Sequence, residues 1–86
     1  MSPRTIRHID IQVHVLARQL AEPDKLVSRI IMVMKRKRVP SGERREFLQG
    51  YFKLSAAAYH EPQMKREALV AYFDSWVLMI RRKELV

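Results

Sequence analysis

The sequence predicts an all-α domain, a small bundle of about four helices in which residues 1–86 form a single unit. The 86 residues include only two Gly and four Pro, too few turn residues for a sandwich of many short strands. Hydrophobic residues make up 48% of the chain, more than a disordered chain carries. Apolar residues recur at helical spacing in four segments, with Pro between neighbouring segments.

The first segment carries the signals of a helix and also those of a strand. Ser2 followed by Pro3 is a favourable helix start, and apolar residues at three- and four-residue steps predict a helix that ends near Ala21. The same segment alternates apolar and polar residues from Ile9 to Val15, as half-buried strands do. We expect the helix, with an N-terminal strand followed by three helices as the alternative.

In the strand alternative, four polar residues share one face: His8, Asp10, Gln12 and His14. Two such strands paired across a dimer would resemble the β-ribbon of ribbon-helix-helix repressors, which place alternate polar residues in the major groove of DNA. The resemblance covers the first 15 residues and implies a dimeric DNA-binding protein.

The other three segments predict three further helices. The second begins at Pro23 and ends in the cations 35–38, before a break at 39–42. Ser41 caps the third, which ends before Pro62, and the fourth runs from about Pro62 to Lys83. The apolar stripes expected to face the core are Leu26, Val27, Ile30, Ile31 and Met34; Phe47, Leu48, Tyr51, Phe52, Ser55 and Tyr59; and Met64, Ala68, Leu69, Tyr72, Phe73, Trp76 and Ile80.

Two runs of five apolar residues, 30–34 and 76–80, exceed what one buried stripe needs. Five consecutive residues go more than once round a helix, so some of them face away from the stripe. A domain of this size has little interior in which to surround two such helices. We therefore expect a homodimer or a partner protein to cover an interface formed by Ile31, Met32, Met34, Trp76, Val77 and Met79.

Positive charge is concentrated in one part of the chain. The formal net charge is +8, and the stretch from Pro23 to Arg45 carries eight Lys or Arg against two acidic residues, a net +6. Such a cluster attracts polyanions, and nucleic acid is the expected partner of Lys35, Arg36, Lys37, Arg38, Arg44 and Arg45. Cations near the ends of the fourth helix, Lys65, Arg66 and 81–83, would extend the cluster if they lie close to it.

The cluster suggests a small regulatory or accessory protein that binds nucleic acid through phosphates. A helix-turn-helix is disfavoured, because Pro40 lies in the turn and the start of the would-be reading helix offers Glu43 and Glu46 where polar base-reading side chains are usual. Two other partners remain open. One is an acidic protein that the chain binds as an adaptor or inhibitor, and the other is an anionic membrane surface.

Enzymatic chemistry, cofactors and metal ions are not expected. The chain has no Cys, no glycine-rich phosphate loop and no Ser/His/Asp arrangement. His8 and His14 are six residues apart and diverge on a helix. The N-terminus lacks the apolar core of a secretory signal, and no apolar run is long enough to span a bilayer, so we expect a cytoplasmic protein.

Overall fold

The computed structural model describes residues 1–56 and 60–85 and contains four α-helices within them. They are α1 (Pro3–Gln19), α2 (Pro23–Arg36), α3 (Ser41–Ala56) and α4 (Pro62–Leu85). The prediction of a small all-α bundle is confirmed. The strand alternative is wrong, because residues 6–16 lie inside α1, and the ribbon-helix-helix interpretation falls with it.

The helix starts follow the local signals of the sequence. The side chain of Ser2 accepts a hydrogen bond from the backbone N–H of Thr5 at 3.2 Å, and Pro3 occupies the first turn of α1. Pro23 and Asp24 occupy the first turn of α2 in the same way. α1 ends two residues before Ala21, because Leu20 is already extended (φ −111°, ψ 115°) ahead of Pro23.

The helices run alternately up and down, and α2 and α4 lie at the centre. α1 and α3 each pack against both of these helices, and α2 and α4 also pack against each other. The Arg66 side chain donates to the backbone carbonyl of Leu20 at 3.0 Å, which places the end of α1 beside the start of α4. Asp24 lies 3.3 Å from Lys65, so α2 and α4 run parallel.

The central position of α2 and α4 accounts for most of the surplus apolar residues. Each of these helices has neighbours on three sides, so a wide arc of its surface is buried. Met34, Trp76 and Val77 are all in the core. Burial inside the monomer therefore removes these three from the expected partner interface and corrects that part of the prediction.

Aromatic stacking joins α3 to α4. The ring of Phe47 stacks on Tyr72 at 4.8 Å between centroids and meets Trp76 edge-on at 6.0 Å. Such contacts add to the free energy of burial. Two residues placed in the core stripes are instead exposed, Phe52 by 58% and Met64 by 49%. Both lie near the helix ends that flank residues 57–59, and Tyr59 and the side chain of Ser55 lie outside the described residues.

Gly50 is required by the close approach of Tyr72. The Tyr72 hydroxyl crosses α3 and donates to the carbonyl of Phe47 at 3.1 Å. A Cβ at Gly50 would overlap the Tyr72 hydroxyl and lie 2.5 Å from its Cζ. The glycine therefore costs helix propensity but allows the two helices to pack.

We expect Gly50→Ala to destabilise the protein. In an open helix this change adds about 1 kcal/mol of stability, but here the methyl group must displace a packed tyrosine, which costs about 1–3 kcal/mol. Gly42→Ala is the matched control, because nothing lies within 4 Å of a Cβ at that position. Urea unfolding should give a lower midpoint for Gly50→Ala than for Gly42→Ala, and the reverse order would contradict the packing argument.

A polar cluster closes the end of the bundle where α2 and α4 begin. The Tyr51 hydroxyl donates to Oδ1 of Asp24 at 2.7 Å, and Lys65 Nζ contacts the same oxygen at 3.3 Å. These two hydrogen bonds hold the pKa of Asp24 below its ordinary value of 3.8. Burial and then the bond to Asp24 raise the pKa of Tyr51. Burial lowers the pKa of Lys65, but hydrogen bonds to Asp24 and Tyr51 outweigh the effect of burial, so the pKa is raised overall.

The cluster should stabilise the fold between about pH 4 and pH 10. A lowered carboxyl pKa contributes stability above its unfolded value, which is lost as the pH falls through the folded value. The raised pKa values of Tyr51 and Lys65 contribute stability below pH 10, which is lost as the pH rises through their folded values. Because Asp24 is 78% exposed, we expect its charge to contribute only about 0.5–1 kcal/mol.

Asp24→Asn tests this dependence, because the amide keeps an acceptor for Tyr51 and loses the charge. Chemical unfolding should show the wild type more stable than the variant at pH 7, with the difference narrowing as the pH falls below about 4 and Asp24 takes up its proton. A difference that stays constant from pH 7 to pH 2 would contradict the assigned ionic contribution.

Candidate functional site

Three separate parts of the chain meet at one end of the bundle. A cavity of about 250 Å³ is lined there by Met1, Pro40, Glu43, Ile80 and Lys83. The start of α1, the turn between α2 and α3, and the end of α4 are therefore neighbours. We call the region formed by residues 1–10, 35–46 and 81–85 the basic end.

The basic end holds almost all of the net charge of the protein. It contains eleven of the 17 Lys and Arg residues and four of the nine Asp and Glu residues, a net +7 out of the formal +8. The rest of the chain carries six cations and five carboxylates. The positive charge is consequently concentrated at one end of the molecule, and the rest of the molecule is nearly neutral.

All six predicted binding residues lie in the basic end. Within the described part of the chain, none of their side chains forms an ion pair or a hydrogen bond. Lys37 and Arg44 are half-buried, and the other four are exposed; the six are Lys35, Arg36, Lys37, Arg38, Arg44 and Arg45. Their charges are therefore not neutralised within the structure.

The structure brings further cations to the same end. Arg4 and Arg7 of α1, which the sequence analysis did not assign to the site, are exposed there, as are Arg82 and Lys83 of α4. Arg81 forms a long ion pair with Asp10, in which Nη2 lies 3.9 Å from Oδ2. The sequence could have indicated that Arg4 and Arg7 lie here. In an up-and-down bundle of four helices, the starts of α1 and α3 lie beside the ends of α2 and α4.

Lys65 and Arg66 do not extend the basic end. Lys65 contacts Asp24, and Arg66 donates to the carbonyl of Leu20, both at the opposite end of the bundle. At that end each of these two side chains already has a hydrogen-bond acceptor. Only the C-terminal cations of α4 join the site, in agreement with the conditional prediction made for residues 81–83.

The α2–α3 pair is a hairpin and not a helix-turn-helix. In a helix-turn-helix the two helices cross at about 90–120°. α2 has 14 residues, so at such a crossing its start would lie roughly 20 Å from α3. Instead, Asp24 at the start of α2 is 2.7 Å from the Tyr51 hydroxyl, late in α3. The structure thus agrees with the sequence argument against that motif.

Arg44 and Glu43 are half-buried at the start of α3. Nε of Arg44 and Oε2 of Glu43 are buried and have no hydrogen-bond partner within the described residues. A buried N–H without a hydrogen-bond partner costs free energy in the folded protein.

Arg38 lies in a strained position at the end of α2. Its φ of +64° is in the left-handed region, which glycine adopts at little cost and other residues adopt at about 1–2 kcal/mol. The N–H of Arg38 donates to the carbonyl of Lys35 at 3.1 Å, and the N–H of Val39 donates to Met34 at 2.9 Å. This is a Schellman motif, in which glycine is the usual residue at the position of Arg38.

The remaining members of the predicted interface are on the surface. Ile31 is half-buried, whereas Met32 and Met79 are exposed by 50% and 43%. Leu78, which the prediction omitted, is exposed by 55%. Leu78 and Met79 line an open groove of about 690 Å³ together with Ser75, Arg82 and Lys83.

Comparisons with protein-family models, with curated proteins and with solved structures found no match to this chain. In the described part of the chain, none of the helices combines the length and the apolar character that crossing a bilayer requires.

Arg38→Gly should stabilise the protein. Glycine relieves the left-handed strain, which should raise the free energy of unfolding by about 1 kcal/mol. Chemical unfolding measures the effect.

Arg36→Gly is the matched control, because it removes the same charge from the last helical residue of α2. There glycine should lower stability by about 0.5–1 kcal/mol. Equal stability changes in the two variants would contradict the strain assigned to Arg38.

Proposed function

We propose that the protein is a nucleic-acid-binding accessory or regulatory factor that contacts backbone phosphates through the basic end. The observation that carries this proposal is the segregation of a net +7 to one end of the bundle. Unpaired Lys and Arg side chains bind phosphates directly and release condensed counterions, which favours association. A non-enzymatic role fits the same surface.

The dimensions of the bundle suit a contact with several phosphates. The molecule measures 37 × 24 × 19 Å, so its end presents a face about 20 Å across. Duplex DNA carries one charge per roughly 1.7 Å of its axis, and a footprint 24 Å long therefore covers about 14 phosphates. Five or so of these could be paired at once by the cations of the three chain segments that form the basic end.

Binding through this face should be independent of base sequence. The cations lie at helix ends and in the α2–α3 turn, where they can contact phosphates. Arg and Lys contacts to phosphate fix position without discriminating between bases. We therefore expect similar affinities for unrelated sequences of the same length.

The affinity for a 20-base-pair duplex should fall steeply with salt. For about five phosphate contacts, an increase from 50 to 200 mM salt should weaken binding roughly 500-fold. A triple variant of the basic end, with Arg36, Arg38 and Arg45 changed to Gln, should lower the salt slope by about 2–3. Fluorescence anisotropy with duplex DNA, duplex RNA and single strands measures the slope.

A second triple variant provides the matched control. Changing Arg18, Lys25 and Lys53 to Gln removes the same net charge from side chains outside the basic end. It should leave the salt slope nearly unchanged. Equal losses in the two triple variants would show that net charge alone, and not the basic end, governs binding.

Absence of binding to any nucleic acid at 50 mM salt would contradict the proposal. An acidic protein is then the second candidate partner, favoured by the exposed groove at Leu78 and Met79 beside Arg82 and Lys83. A dimeric state and a cytoplasmic location stay predictions.

A further inference from the structure

A cluster of three potential metal ligands lies at the seam between α1 and α4. Asp10 and His14 are one turn apart on α1, and Asp74 faces them from α4. One ligand atom from each residue lies within 4.8 Å of the other two. Nε2 of His14 lies 2.8 Å from Oδ1 of Asp74 and 3.4 Å from Oδ1 of Asp10. We infer that this cluster is a binding site for a divalent transition-metal ion of the zinc class.

The spacing of the ligand atoms is close to that of a metal site. Zinc binds histidine nitrogen and carboxylate oxygen at about 2.0–2.1 Å, so neighbouring ligands of a tetrahedral ion lie roughly 3.3 Å apart. The two measured separations of 2.8 and 3.4 Å bracket that value. The third pair of ligand atoms, from Asp10 and Asp74, lies within 4.8 Å and would have to approach to a similar spacing.

The surroundings orient the carboxylates. Nη2 of Arg81 lies 3.9 Å from Oδ2 of Asp10, whereas the other oxygen, Oδ1, faces His14. Arg81 thus contacts the oxygen that points away from the cluster, as groups outside a metal site commonly do for its ligands. The aromatic ring of Phe73 meets His14 edge-on, with centroids 6.2 Å apart, and restricts the imidazole.

The cluster is open on one side. His14 and Asp74 line a groove of about 330 Å³, and all three ligand side chains are between 30% and 49% exposed. The groove leaves room for one or more waters to complete the coordination. One neutral imidazole with two carboxylates favours zinc, cobalt or nickel over magnesium, which prefers oxygen ligands and keeps its waters.

A bound ion would cross-link α1 and α4. Two ligands come from one helix and one from the other, so the site is complete only when these helices are packed. A ligand that binds the folded state alone raises its stability by mass action. Asp10 and its neighbour Arg81 belong to the basic end, but His14 and Asp74 lie outside it and none of the six predicted phosphate-binding cations contacts the cluster, so either inference can fail without the other.

The test is thermal unfolding of the full chain after EDTA treatment and exchange into a phosphate-free buffer. Zinc chloride at about a hundredfold excess over its dissociation constant should raise Tm by on the order of 10 °C. Magnesium chloride at the same concentration should give no comparable shift. Isothermal titration of the same sample with zinc measures the stoichiometry, which should be one ion per chain.

Variants separate this site from adventitious binding to surface histidines. His14→Gln and Asp74→Asn should each weaken zinc binding by about tenfold or more, with Tm shifts measured against each variant's own metal-free value. His8→Gln and His60→Gln are the matched controls, since these are the only other histidines of the chain and both are exposed. They should retain the wild-type shift.

Two results would overturn the inference. One is the absence of a zinc-dependent Tm shift in the wild type. The other is a shift that persists in His14→Gln or that disappears in His8→Gln. If His14→Gln does not fold, Asp10→Asn gives the same readout while keeping the imidazole, and an unchanged zinc affinity in that variant would also count against the site.

Discussion

The parallel packing of α2 against α4 in the centre of the bundle is the constraint on which the rest of the structure depends. It buries six of the ten residues in the two most apolar runs of the chain, Ile30, Val33, Met34, Trp76, Val77 and Ile80. It also determines where the charges lie, because both helices end in cations and a parallel arrangement brings these ends together. Because successive helices are antiparallel, the starts of α1 and α3 lie at the same end.

This arrangement gathers like charges, and the fold tolerates them for identifiable reasons. Two of the helix ends at the basic end are C-termini, where cations interact favourably with the helix dipole. The cations are mostly exposed, so water and salt screen their repulsion. The opposite end is held by the Asp24, Tyr51 and Lys65 cluster and by the hydrogen bond from Arg66 to Leu20. The polar contacts between helices and the clustered cations thus lie at different ends of the molecule.

The four helices could be predicted from the sequence, because Ser2-Pro3 and Pro23 are strong local signals. The break predicted at 39–42 lies at 37–40 instead, and Ser41 and Gly42 belong to α3. The sequence assigned Met34 and Trp76 both to core stripes and to a partner interface, and Val77 to the interface alone. The choice depends on the number of neighbours around a helix, which is a tertiary property, and all three residues are in the core. The alternation from Ile9 to Val15 was ambiguous because Ile11 and Val15 stay exposed on α1. The cluster of Asp10, His14 and Asp74 joins residues about 60 positions apart and could not be inferred from spacing alone.

The most direct test of the central claim is an NMR titration of the labelled full chain with a 20-base-pair duplex at low salt, which reports where on the bundle the ligand lies. The account predicts amide shift changes concentrated in residues 1–10, 35–46 and 81–85, with the amides of Asp24, Tyr51 and Lys65 nearly unchanged. Changes centred on the Asp24 end, or spread evenly over the bundle, would contradict it.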